Sequence, residues 1–149
     1  MAYVRDYLTY YHKARTCPGN FENVGGTCLY LAKEKTARWD HARTYCKNLG
    51  GDLAVFKDAN AFTAGLDYVK DQQLVRNTQI WIGATDRHRE NHWKWITGQR
   101  ITRVTPFWGK HYFSKQESTY DCGVLHGLDD YLMHDAACSS KYMPLCQIQ

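Results

Sequence analysis

The chain has few prolines (three), no Asn-x-Ser/Thr sequon, no Cys-x-x-Cys pair and no apolar run long enough to cross a bilayer. Each absence narrows the reading. Zinc frameworks usually need close Cys/His pairs, and here no two cysteines stand closer than eight residues apart. There is no Gly-x-Ser-x-Gly, no His-Glu-x-x-His, no P-loop and no dinucleotide fingerprint, so the common hydrolytic, metalloprotease and nucleotide chemistries have no anchor. Asp129 and Asp130 are adjacent acids in a Gly-Leu-Asp-Asp-Tyr turn, the pattern of a solvated loop rather than of a catalytic pair. No nucleic-acid motif is present. No apolar leader is visible either, and Met1 before a polar, Tyr-rich stretch is expected to be an initiator on a mature chain whose leader has been removed. These absences predict a binding protein, not an enzyme.

What is present is a chain of 149 residues, one domain's worth, able to bury roughly two-thirds of its unfolded surface. Aromatics are abundant, with five Trp, eleven Tyr and five Phe. Six cysteines without metal-type spacing predict disulfides, an oxidising compartment and a secreted, extracellular protein. Six cysteines permit fifteen pairings, and their spacing does not choose among them. The formal net charge is +4, unevenly placed. Between residues 76 and 115, Arg76, Arg87, Arg89, Lys94, Arg100, Arg103, Lys110 and Lys115 face only Asp86 and Glu90, a local excess of six positive charges. Such a field draws anionic partners, sulfated or sialylated glycans or phosphate-bearing surfaces among them, although a solvated loop face has the same composition.

Residues 1–16 stand apart as an N-terminal extension. Val4, Leu8 and Tyr11 recur at helical spacing, which suggests a short helix able to pair with another copy into a homo-oligomer. Gly25-Gly26 marks a hairpin turn with Thr27 to Leu31 as its return strand. Thr36 offers a cap for a helix carrying Trp39, Ala42, Cys46 and Leu49 on one face and ending at Gly50-Gly51. Leu53 to Phe56 reads as a short strand. Asp58 caps a second helix, with Phe62, Leu66 and Val69 on one face. Ile80-Trp81-Ile82-Gly83 has the form of a buried strand, and Trp93 to Ile96 alternates like one. Residues 97–120 read mostly as a long loop, a length usually tied to function or disorder. Asp121 to Leu125, Tyr131 to Met133 and Tyr142 to Cys146 read as short closing strands. Two early helices followed by short strands predict an α+β domain.

Taken together, Cys17-Pro18, Gly25-Gly26-Thr27-Cys28, Trp39-Asp40-His41-Ala42-Arg43 before Cys46, Gly50-Gly51-Asp52-Leu53, Trp81-Ile82-Gly83-Ala84-Thr85-Asp86 and the closing Cys122, Cys138 and Cys146 resemble the long form of the C-type lectin-like domain. The resemblance covers residues 17–147. It implies two helices packed on antiparallel sheets, a long binding loop and three disulfides, Cys17–Cys28, Cys46–Cys146 and Cys122–Cys138.

It also implies a site. Sugar-binding members hold a calcium ion with a Glu-Pro-Asn or Gln-Pro-Asp triplet, an acidic residue before the next cysteine and a Trp-Asn-Asp segment. Here those positions read Tyr112-Phe113-Ser114, Tyr120 and Met133-His134-Asp135, so only Asp135 clearly survives as a side-chain ligand. Calcium needs six to eight oxygens, and the sugar-bridging ion is therefore expected to be absent or much weakened. An accessory calcium site of some members falls on Asp86, Glu90 and Asp121, with Lys115 in place of a fourth acid. The Lys115 ammonium is expected to fill that acidic pocket, or residual calcium to do so. His111 and His134 flank the old calcium position and offer zinc or copper ligation, or pH-dependent binding. Trp108, His111, Tyr112, Phe113, Ser114, Lys115, Tyr120, His134 and Asp135 are the candidate ligand-binding residues. Core packing is the alternative for Trp108 and Phe113. The ligand is expected to be a glycan, such as a microbial surface glycan, or alternatively a protein.

Overall fold

The computed structural model describes residues 16–102, 104–109 and 119–148. The expected N-terminal helix, and with it the oligomerising role of residues 1–16, lies outside the described residues apart from Arg15's neighbour Thr16. The elements run β1 (Glu22–Val24), β2 (Thr27–Leu31), α1 (Trp39–Asn48), β3 (Asp52–Leu53), α2 (Ala59–Asp71), β4 (Gln79–Thr85), β5 (Lys94–Trp95), β6 (Cys122–His126), β7 (Leu132–Ala136) and β8 (Met143–Ile148). The sheet order is β1-β2-β8-β4-β6-β7, with β3 on β8 and β5 on β4. The pairings are antiparallel except β4 with β8, which is parallel through Ile80–Met143 and Trp81–Pro144. The sheet is therefore mixed, not purely antiparallel.

Strand β4 is buried on both faces, which is why it reads as a continuous apolar run. Alternation sends Ile80, Ile82 and Ala84 toward α2, in one cluster with Phe62, Val69, Trp93 and Trp95. Trp81 points the other way, among Trp39, Ala42 and Cys46 of α1. Both buried indoles are satisfied: Trp39 Nε1 donates to the Ile82 carbonyl at 2.9 Å, and Trp81 Nε1 to the Ala37 carbonyl at 2.7 Å. Gly83 must be glycine for steric reasons. A Cβ there would sit 2.9 Å from the Ile96 side chain and 3.0 Å from the Leu53 carbonyl oxygen.

Asp58 caps α2 as expected, its carboxylate accepting from the Ala61 amide at 2.8 Å, a bond worth about 1 kcal/mol. Thr36 does not cap α1. Ala37 exchanges two backbone bonds with Tyr142, which holds the chain extended until Arg38. The first helical amide, Trp39, then donates to the Cys138 carbonyl at 3.0 Å in place of a side-chain cap. The strand expected over 53–56 pairs only at Asp52–Leu53. Ala54 instead bridges outward, donating to Leu145 and accepting from Gly83.

All six cysteines are paired, as Cys17–Cys28, Cys46–Cys146 and Cys122–Cys138. The second closes a separation of 100 residues and ties α1 to β8. The third joins β6 to the segment following β7.

Candidate functional site

Two groups of polar side chains border the long loop, one where β4 ends and β6 begins, the other beside the turn from β6 to β7. The first is acidic. Asp86 follows β4, and Asp121 precedes β6. Their backbones are locked together, Asp86 N donating to Asp121 O at 3.1 Å and Thr85 Oγ1 donating to the same oxygen at 2.6 Å. The turn after Asp86 brings round Glu90. One carboxylate oxygen from each of Asp86, Glu90 and Asp121 lies within 4.8 Å of the others, and this is the only such metal-ligating cluster among the described residues.

The cluster's electrostatics are unbalanced. Asp86 is 3% exposed. Its Oδ2 accepts from the Asn91 amide at 2.9 Å. Its Oδ1, and Asp121 Oδ1, are buried without a hydrogen-bond partner among the described residues. Burial is the largest cause raising the Asp86 carboxyl, to about 7, with the Asp121 and Glu90 carboxylates adding to it. Glu90 is raised by the same combination, burial and then Asp121. Buried orphan oxygens call for an explanation, and three hard oxygen donors converging on one point suit calcium's ligand chemistry. The residues present therefore fit a cation here. Lys115, the expected substitute, lies outside the described residues.

The second group is imidazole-based and includes His134, in the segment where the family resemblance would put ligands of a sugar-bridging calcium. Met133 is fully buried in the core, so the first position of that segment faces inward. His134 Nε2 is 2.8 Å from Asp129 Oδ2, and its ring lies 4.8 Å from that of His126. His126 Nδ1 in turn accepts from the Leu128 amide at 3.2 Å. Burial first, and then His134, hold His126 below the ordinary imidazole value. Gly109 presses its backbone onto this group, since a Cβ there would fall 2.1 Å from Asp129 Oδ2 and 2.4 Å from His134 Nε2. The start of the long loop is pinned alongside: Gly109 N donates to Met133 O, and Met133 N to Phe107 O.

The expected ligand contacts divide accordingly. His134, Asp135 and Tyr120 are half-buried. Trp108 is corrected from ligand contact to core. It is 9% exposed, packs edge-on against Trp93 at 5.1 Å and donates its indole N–H to the Thr102 carbonyl. His111, Tyr112, Phe113, Ser114 and Lys115 lie outside the described residues. Sequence reasoning missed Asp129, which reads as a solvated turn. The signal was its spacing of five from His134, across the tight turn that joins β6 to β7.

The sequence model of the lectin C-type domain matches residues 35–148, most of the chain. The chain belongs to the C-type lectin domain family. C-type lectin domain family 6 member A of Mus musculus is 23% identical over 133 residues, covering 89% of this chain and 61% of that protein. The chain thus spans about three-fifths of the length of that relative. Human lithostathine superposes with a TM-score of 0.76 at 20% identity, over 90% of this chain and 91% of that one. The C-type lectin domain of murine dendritic cell inhibitory receptor 2, solved in complex with an N-glycan, gives 0.73 at 20% identity, over 90% and 99%. C-type lectin domains are generally recognition modules rather than enzymes, and the disulfides of this one accord with an extracellular setting. No helix among the described residues is long and apolar enough to cross a membrane.

Proposed function

We propose that the chain is a secreted recognition module that binds glycans, microbial surface glycans among them, without a calcium ion bridging protein and sugar. The observation that carries this reading is the fate of the Met133-His134-Asp135 segment. Met133 is spent in the core and His134 is engaged by Asp129. An oxygen-poor set of this kind does not suit calcium, which takes carboxylates and carbonyls. The murine receptor domain solved with an N-glycan supports the glycan class of ligand.

A cation belongs instead at Asp86, Glu90 and Asp121. There it would neutralise three converging carboxylates and tie the turn after β4 to the start of β6. Calcium and the Lys115 ammonium are the two cations that answer this demand. A glycan array probed in calcium and again in chelator tests the function. Binding that survives chelation, at a temperature where the chelated protein is folded, supports it. An array bound only in calcium contradicts it. An empty array together with a captured protein ligand transfers the module to protein recognition.

A further inference from the structure

Three exposed cations and a histidine converge on the outer side of β5. In the turn after β4, the His92 amide donates to the Arg89 carbonyl at 2.9 Å. Lys94 then opens β5 and lies opposite Arg100 in an antiparallel bridge. Backbone bonds from Trp95 to Gln99 and from Ile101 to Trp93 hold this hairpin, which turns at Gly98 with φ +101°. Trp93, Trp95 and Ile101 are buried. Alternation therefore sends Lys94 and Arg100 to the solvent side, where Arg89 is also exposed.

Among the described residues these cations have no ion-pair partner. The ion pairs among the described residues employ Arg38, Arg43, Arg87 and His134. None employs Arg89, Lys94 or Arg100. The two acids of the same stretch, Asp86 and Glu90, are committed to the cluster with Asp121. Like charges directly opposite on paired strands are destabilising, so the Lys94–Arg100 juxtaposition works against the fold unless an anion completes it. His92 registers the same convergence. It is held below the ordinary imidazole value by desolvation and then by Arg89, Arg100 and Lys94, with no carboxylate among the causes.

We propose that Arg89, His92, Lys94 and Arg100 form a binding surface for sulfated glycans, separate from the long-loop end that carries His134 and Asp135. The proposal rests on the reading of the chain as a glycan-recognition module. Sulfate esters are permanently ionised, and guanidinium forks match their oxygens. The surface offers no exposed Trp, Tyr or Phe ring within residues 86–101 on which a neutral sugar could stack, since Trp93 and Trp95 face the core. Among the described residues the exposed large apolar side chains are Leu49, Val75, Val104 and Leu128, so none stands within residues 86–101 to enter a bilayer. Three disulfides place the domain where sulfated polysaccharides occur.

The test uses the full chain and a size-defined heparin dodecasaccharide, titrated by calorimetry at several salt concentrations. Arg89→Gln/Lys94→Gln/Arg100→Gln is compared with Lys47→Gln/Lys57→Gln/Lys70→Gln, which removes the same charge from exposed lysines elsewhere. The expected result is an affinity loss of about tenfold or more with a shallower salt dependence for the first variant. The control should stay within about twofold, and fully desulfated heparin should not bind. If the first triple variant loses its folded thermal transition, the Lys94→Gln/Arg100→Gln double variant carries the comparison. Equal binding by wild type and patch variant overturns the proposal, as does equal loss in both variants. Patch-dependent binding to phosphatidylserine vesicles without heparin binding also overturns it and assigns the surface to membranes. Binding of neutral mannan with none of heparin removes this proposal while leaving glycan recognition standing; failure on every glycan removes both.

Discussion

Asp86 carries a nearly complete loss of solvent and two carboxylate neighbours, and its protonation is the clearest energetic consequence. Its folded-state value of about 7 lies above the ordinary 3.8. The stability this gives is fully present below about pH 4 and is lost as pH rises through about 7. In chelator, the thermal transition of Asp86→Asn minus that of wild type should therefore grow between pH 4 and pH 8. A pH-independent difference would show that the Lys115 ammonium, not a proton, neutralises the cluster when calcium is removed. A second prediction separates the two cations. If calcium fills the cluster, wild type melts higher in calcium than in chelator at pH 7.5. If Lys115 fills it, wild type is indifferent and only Lys115→Ala gains from calcium. At this scale the sequence was informative about chemistry and poor on burial. Asp86, Glu90 and Asp121 could be grouped through the family resemblance, and the structure brings them together. Trp108 could not be placed, because an aromatic in a long polar loop carries no periodicity to tell inward from outward. Asp129 was passed over because its partner is fixed by a turn, not by spacing along a helix or strand.

Elements rather than single side chains decide where the site sits. Strand β4 ends at the acidic cluster, and its register depends on close approach at Gly83. Gly83→Ala pushes a methyl against Ile96 and the Leu53 carbonyl, and should cost about 1–3 kcal/mol in denaturant unfolding. Helix α2 supports the base of the long loop from the opposite side. Phe62 stacks on Phe107 with centroids 4.2 Å apart, and Phe107 accepts from Met133 on β7. Phe62→Ala should cost about 3–5 kcal/mol, and it should also weaken glycan binding through the loosened loop base. Unchanged binding in the folded variant would show that the loop is held without α2. The Gly25-Gly26 hairpin, both helices and the β4 run were legible because each has a strong local signature. The start of α1 was not, because Ala37 pairs with Tyr142 over one hundred residues away. The limits of β3 were fixed similarly, by bonds to β8 and β4.

The whole molecule is held by a mixed sheet and three covalent ties. Removing Cys46–Cys146, as Cys46→Ala/Cys146→Ala, reopens a loop of 100 residues. It should cost about 4–5 kcal/mol on chain entropy alone, read as a lower midpoint in urea. The disulfide pairing was available only through the family resemblance, since six cysteines alone leave fifteen choices. The parallel β4–β8 contact was not legible at all, because nothing in Tyr142 to Cys146 says which strand it will join. At this scale the central claim is a recognition domain whose sugar-bridging calcium has gone while an acidic cluster remains. Calcium anomalous scattering from crystals grown with calcium and a bound glycan tests it most directly. The account predicts no anomalous peak between Asp135 and the sugar. A peak there, with oxygen ligands at about 2.4 Å from both protein and sugar, would contradict it.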